Sequence, residues 1–86
     1  MNKLEEELAA LIVRELNLED AQVETLSADT PLYGEGLGLD SIDILEIALL
    51  ISKKYGFELR SDNPDNQKIF ASIGSLAAYV AQHRVR

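Results

Sequence analysis

Apolar positions along this chain fall into three runs of helical spacing, separated by one long stretch without a period. Leu4, Leu8, Leu11, Ile12 and Leu16 recur at i, i+4, i+7, i+8 and i+12, which predicts a first helix over about residues 3–17. Glu5, Glu6 and Glu7 crowd its first turn and Arg14 lies near its last, both favourable to the helix dipole. The strongest run is Ser41 to Tyr55. Ile44, Ile47, Ala48, Ile51 and Tyr55 make one stripe, and Ile42, Leu45 and Leu49 make a second beside it. A helix this apolar is enclosed on most sides or keeps a strip for binding. Both are expected here: a central helix of a small bundle, with Ile42 and Leu45 left partly exposed. Lys53 and Lys54 suit its C-terminal end, Gly56 suits a left-handed closing residue, and Phe57 suits the apolar contact that accompanies such a cap.

Beyond that helix, Phe57-Glu58-Leu59-Arg60 reads as a short extended connector. Asn63 followed by Pro64 predicts an N-cap and a proline at the first position of a short helix, about 64–70, carrying Ile69 and Phe70 inward. Ser72 caps a final helix in which Ile73, Leu76, Ala77 and Val80 repeat at i, i+3, i+4 and i+7. Gly74 in its first turn is a local weakness of up to ~1 kcal/mol relative to alanine. His83-Arg84-Val85-Arg86 is expected to fray. From Leu18 to Leu39 no period holds, and Asp29-Thr30-Pro31 with glycines 34, 36 and 38 signals a loop. So long a connection needs a reason in a compact domain. Val23, Leu26, Leu32, Tyr33 and Leu37 suggest that it packs across the helices and joins two helices that no short turn could link.

Eighty-six residues make one small domain, 1–86. An apolar fraction of 47% with 27% charged residues argues against disorder. No apolar run is long enough to span a membrane, and the acidic N-terminus is unlike a signal peptide. The absence of cysteine removes disulfides and thiolate metal sites, and fits the cytoplasm. The net charge of −7 disfavours nucleic acid and anionic membranes as partners. It is also uneven: residues 1–40 hold 10 acidic and 2 basic side chains, whereas residues 41–86 hold 5 and 6. An acidic half of this kind is either simply solvated or steers toward basic partner surfaces.

Candidate chemistry centres on Ser41. Asp40 is placed to cap the second helix, with Asp43 as the return partner of a capping box. Ser41 then occupies the first helical position behind flexible glycines. A phosphate attached there would face unpaired N–H groups and the positive end of the helix dipole. A catalytic serine would need a base and a group to orient it. The single histidine, His83, lies in the tail, Lys53 and Lys54 lie roughly 18 Å along the helix, and no Gly-x-Ser-x-Gly elbow exists. Asp40, Asp43 and Glu46 could hold a weak divalent cation, but an acidic helix start explains them better, so no metal is expected. Tyr33, Tyr55, Phe57, Phe70 and Tyr79 read as core residues in so acidic a chain.

Gly38-Leu39-Asp40-Ser41-Ile42 resembles the attachment motif of acyl carrier proteins, Gly-x-Asp-Ser followed by an aliphatic residue. The likeness extends over the first helix, the long loop, the serine-headed second helix, the short third helix and a final helix carrying Leu76-Ala77-Ala78-Tyr79-Val80. It implies an all-α four-helix bundle of three main helices and one short one, with a long loop between helices 1 and 2. It also implies a non-catalytic carrier whose Ser41, behind Gly38 and Asp40, takes 4′-phosphopantetheine from CoA through a phosphopantetheinyl transferase. The arm would hold acyl groups as thioesters for acyl-loading and ketosynthase-like condensing enzymes. Leu37, Asp40, Ile42, Asp43 and Glu46 are cast as partner contacts, and Ile47, Ile51 and Phe57 as walls of an acyl pocket. A monomer with no stable membrane insertion is expected.

Three features depart from a general fatty-acid carrier. Ser52-Lys53-Lys54 stands where such carriers keep acidic residues, the loop Tyr33-Gly34-Glu35-Gly36-Leu37-Gly38 is glycine-rich, and Arg60-Ser61-Asp62-Asn63-Pro64 is not the common acidic form. They point to a specialised fatty-acid-like or polyketide-like pathway, and the run from Arg60 to Ser72 resembles carriers of aryl-polyene pigment pathways. Peptidyl carriers usually show Gly-Gly-x-Ser and fit less well. The alternatives are an unmodified helical adaptor that binds proteins through the second helix and a housekeeping fatty-acid-synthesis carrier.

Overall fold

The computed structural model describes residues 2–18, 26–33, 37–60 and 64–85. The elements run α1 (Lys3–Glu15), α2 (Ser41–Tyr55), α3 (Asn66–Ile69) and α4 (Ile73–His83), with no strand among the described residues. This is a small all-α bundle, and the second helix has the bounds its apolar run predicts. Val23, Gly34, Gly36, Asn63 and Arg86 lie outside the described residues.

α1 begins at a capping box: the Glu5 N–H donates to Asn2 Oδ1 (2.8 Å) while the Asn2 N–H donates to Glu5 Oε1 (2.7 Å). It stops two residues short of the expected end. Asn17 adopts a left-handed conformation at φ 52°, the Leu18 N–H donates to the Val13 carbonyl and the Asn17 N–H to that of Arg14. This is a Schellman closure built on asparagine, whose short polar side chain tolerates positive φ. α2 ends as expected at Gly56, φ 73°, with its N–H on the Ser52 carbonyl. α3 is shorter than expected. Pro64 sits exposed in the turn before it rather than at its first position, and Asp65 precedes the helix without a side-chain cap. The Asn66 side-chain amide instead donates to the Arg60 carbonyl at 3.0 Å, tying the connector to this short turn.

The buried faces are those of the apolar runs. Leu8, Leu11 and Ile12 of α1 meet Ile44, Ile47, Ile51 and Tyr55 of α2, together with Ile73, Leu76 and Val80 of α4, while Ile69 and Phe70 close one end. Leu4, Leu16 and Phe57 are only partly buried against this core. The long loop contributes Leu32 and Leu39, both buried, so its aperiodic sequence does carry core residues. It also caps α4. The Ile73 N–H donates to the Thr30 carbonyl (3.1 Å) and the Gly74 N–H to the Ala28 carbonyl (2.8 Å). The Ser72 N–H donates to Ser75 Oγ (3.0 Å) and the Ser75 N–H to Ser72 Oγ (3.1 Å). All four free donors at the start of α4 are thereby satisfied, two of them by the loop residues Ala28 and Thr30.

Two sequence expectations are corrected here. A Cβ on Gly74 would lie 3.0 Å from the Ala28 oxygen and 3.2 Å from the Ala28 Cβ, so this glycine permits the loop-to-helix approach rather than merely weakening the helix. The tail is tied to the bundle as far as Val85. His83 lies within α4 and stacks on Tyr79 at 4.1 Å, and the Val85 N–H donates to the Tyr55 carbonyl at 2.9 Å. The Arg84 guanidinium sits 4.9 Å from the centre of the Tyr55 ring. No helix among the described residues is long and apolar enough to cross a membrane.

Candidate functional site

The approach to Ser41 is shaped by two backbone bonds and one glycine. Leu37 N–H donates to the Pro31 carbonyl and Leu39 N–H to that of Leu32, each at 2.9 Å. Between them Gly38 turns at φ 67°, a conformation that favours glycine, while Leu39 is buried as an anchor. The chain therefore enters α2 at a fixed angle, and Ser41 stands exposed at its first position.

The capping box forms as the sequence implied, with aspartates in both roles. Asp43 N–H donates to Asp40 Oδ1 (3.0 Å) and Asp40 N–H to Asp43 Oδ2 (3.2 Å). Ile44 N–H donates to the Asp40 carbonyl. Two of the four free donors of this helix start are thus taken. Those of Ser41 and Ile42 have no partner among the described residues, in contrast to α4, where the loop supplies one for each. The result is an exposed hydroxyl beside two N–H groups at the positive end of a 15-residue helix. A phosphodiester oxygen suits that donor set, so the residues fit a phosphopantetheine arm.

Nothing among the described residues equips Ser41 as a nucleophile. His83 Nδ1–H donates to the Tyr79 carbonyl at 2.9 Å and its ring lies against Tyr79 and Phe57, at the end of α4. The two nearest carboxylates hold backbone N–H groups instead of the hydroxyl. No group of three metal-ligating side chains occurs among the described residues, and Glu46 stands exposed one turn further along α2.

The remaining candidate residues divide into two sets. Leu37 is partly buried against the core, while Ile42 is 73% exposed and is joined on the surface by Leu49 (55%) and Leu45 (44%). The exposure of Leu49 was not anticipated. It shares the face of α2 opposite the stripe that α1 and α4 cover, and no described element lies over it. Ile47 and Ile51 are fully buried in the core, and Phe57 is half-buried against Tyr79 at 6.1 Å between ring centres. A groove of about 410 Å³ instead opens on the outer side of α2, lined by Leu45, Ala48, Leu49, Ser52, Glu58, Leu59 and Arg60. Ser41, Leu45, Ala48 and Ser52 stand at i, i+4, i+7 and i+11, so this groove continues along the helix face that carries Ser41. Its far wall is held by Ser52, whose Oγ accepts the Leu59 N–H (2.9 Å) and bonds the Ala48 carbonyl (2.8 Å). Sequence reading missed this groove because Leu59 is brought to α2 by a bond to Ser52, seven residues away, outside the helical period. Of the aromatic residues, Tyr55 and Phe70 are core as expected, whereas Tyr33 is exposed.

The two lysines at the end of α2 differ. Lys54 Nζ lies 3.5 Å from Glu7 Oε1, which also accepts the Tyr55 hydroxyl at 2.7 Å. The Tyr55 hydroxyl bond is the main cause holding the Glu7 carboxyl below its ordinary pKa, with the Lys54 charge adding to it. Burial, and then the Glu7 bond, push the Tyr55 hydroxyl well above the usual tyrosine value. Both lysines are exposed.

Residues 6–80 match the family model described as a phosphopantetheine attachment site. The chain is 31% identical over 81 residues to an acyl carrier protein of Helicobacter acinonychis, covering 93% of this chain and 94% of that protein. It is 26% identical to that of Chlamydia trachomatis serovar L2 (94% and 96% covered) and 27% identical to that of Brachyspira hyodysenteriae (92% and 94% covered). No solved structure matches at a significant level. With a family match across most of its length and relatives aligned nearly end to end, the chain belongs to the acyl carrier proteins, non-catalytic carriers with a covalently attached 4′-phosphopantetheine group.

Proposed function

We propose that Ser41 Oγ is the attachment point, and that the chain carries acyl intermediates for a specialised fatty-acid-like or polyketide-like pathway of the cytoplasm. The observation that carries the first part is the contrast between the two capped helix starts. α4 has all four donors satisfied by the chain, whereas α2 leaves the Ser41 and Ile42 N–H groups beside an exposed hydroxyl. Gly38 sets the approach, and Asp40 holds the helix start in register without engaging the hydroxyl. The bound arm supplies a terminal thiol, the acyl-carrying sulfur that a cysteine-free chain lacks.

Leu37, Ile42, Asp43 and Glu46 surround that point as contacts for a phosphopantetheinyl transferase and for loading and condensing enzymes. An apolar anchor rimmed by carboxylates suits brief docking to basic surfaces. The groove below Ser41 leads toward Ala48, and Ile47, Ile51 and Phe57 form the inner wall that a longer acyl chain reaches. The lysines at the end of α2 support a pathway other than general fatty-acid synthesis.

Intact mass after incubation with CoA and a promiscuous phosphopantetheinyl transferase tests the attachment. One phosphopantetheine on wild type and none on Ser41→Ala is the expected result. Addition to neither protein would favour an unmodified adaptor, and addition to Ser41→Ala would place the arm elsewhere.

A further inference from the structure

Ser52 lines the groove from α2 with its hydroxyl engaged on both sides. Its Oγ–H donates to the Ala48 carbonyl at 2.8 Å, a backward bond to the residue four positions earlier that fixes the side-chain rotamer. The same oxygen accepts the Leu59 N–H at 2.9 Å, and the Leu59 carbonyl lies 3.3 Å away as a second, weaker acceptor. One side chain of α2 thus holds the backbone of the connector that leads to α3. The next residue of that connector is tied the other way, since the Asn66 amide of α3 donates to the Arg60 carbonyl at 3.0 Å. Connector and α3 are therefore joined to each other, and Ser52 is the hydroxyl that fastens them to α2. On one side of this fastening the groove runs up the helix face toward Ser41. On the other, Ile47 and Ile51 are buried in the core.

We propose that Ser52 is a positioning residue for the acyl chain: its hydroxyl latches the connector onto α2, and the latch sets the chain length that the open groove accommodates before the space beside Ile47 and Ile51 is needed. The proposal rests on the carrier reading above and names the residue that governs chain-length preference. With the latch closed, a short chain lies along Leu45, Ala48 and Leu49, and Leu59 bounds the groove of about 410 Å³. A longer chain must part Leu59 from α2 to pass inward, which breaks the bonds to Ser52. One net hydrogen bond changes the ratio of open to closed forms by roughly threefold to tenfold. The latch therefore favours short chains without forbidding long ones, because a chain that fits only the open form draws the population toward it.

The test compares wild type, Ser52→Ala and Ser52→Thr, each carrying a butyryl, octanoyl or dodecanoyl thioester on the arm. Loading is verified first by intact mass. Failure of wild type to load would overturn the carrier reading itself, and the proposal with it. Alanine keeps the helix, and threonine restores a hydroxyl able to make the same backward bond. In Ser52→Ala the Leu59 amide should exchange roughly threefold to tenfold faster. Hydroxylamine cleavage of the dodecanoyl thioester should slow by a similar factor, because the long chain gains the inner space and draws its thioester against the protein. Butyryl cleavage should change by less than about twofold, and Ser52→Thr should restore wild-type behaviour. A change equal at all three lengths would mean loosened structure alone and would overturn the proposal. So would unaltered Leu59 exchange, or dodecanoyl cleavage that stays at the wild-type rate or quickens in Ser52→Ala.

Discussion

Tyr55→Phe isolates one bond that ties α2 to α1 across 48 residues of sequence. The Tyr55 ring is buried and would keep its packing as phenylalanine, and Arg84 would still lie over it. What disappears is a 2.7 Å hydrogen bond to the Glu7 carboxylate. Bonds to a charged partner contribute ~1.5–3 kcal/mol when both groups are shielded. Here the Glu7 side chain is 39% exposed and rehydrates once the hydroxyl is gone, which reduces the expected loss to about 1 kcal/mol. In a domain of this size that lowers the melting temperature by roughly 4–8 °C.

The assay is thermal and urea unfolding followed by far-UV circular dichroism, on Tyr55→Phe, Glu7→Gln and the double variant. The double-variant cycle should show coupling of about 0.5–1 kcal/mol. Because Glu7 is held below its ordinary value, its contribution is present above the unfolded-state glutamate pKa and is lost as pH falls through the folded-state value. Acidification should thus destabilise wild type more than Tyr55→Phe. At the alkaline end the raised Tyr55 pKa acts oppositely: its contribution is intact below the unfolded tyrosine value of 10.0 and is lost as pH rises beyond it. Identical melting of wild type and Tyr55→Phe, with zero coupling and parallel acid profiles, would refute the reasoning.

Gly74→Val tests the approach of the loop to α4. Its Cβ alone would stand 3.0 Å from a backbone oxygen, and the branched side chain adds more, so a loss of about 1–3 kcal/mol is expected in urea unfolding, whereas a stabilised variant would deny the close contact. Acyl loading tests the inner wall: amide and methyl NMR shifts should move at Ile47, Ile51 and Phe57 when a medium-length acyl chain replaces the free thiol. Shifts confined to Leu45, Leu49 and Leu59 would place the chain in the open groove instead.

Local relations were legible from the residues alone. The bounds of α2, its Asp40–Asp43 capping box, the left-handed Gly56 and the Ser72 cap all depend on groups three or four residues apart, and such groups meet whenever a helix forms. The same holds for the buried stripes of α1, α2 and α4, because helical periodicity assigns a face before any packing occurs. Asn17 is the local feature that periodicity overlooked, since Leu16 and Leu18 continue an apolar pattern past the residue that turns left-handed.

Everything that joins distant segments was decided only by the tertiary structure. Gly74 looks like a flaw in a helix until Ala28 is found against it, and the tail looks loose until Val85 meets the Tyr55 carbonyl. The two adjacent lysines are indistinguishable in sequence, yet one residue of helix rotation is enough to bring Lys54 to Glu7 of α1. The exposed Ser41 follows the same division. Its place at a helix start is written in its neighbours, whereas only the tertiary structure shows that its own N–H and that of Ile42 have no partner among the described residues. Sequence determines what each turn of backbone can do for itself. The meeting of residues tens of positions apart depends on packing that no local pattern encodes.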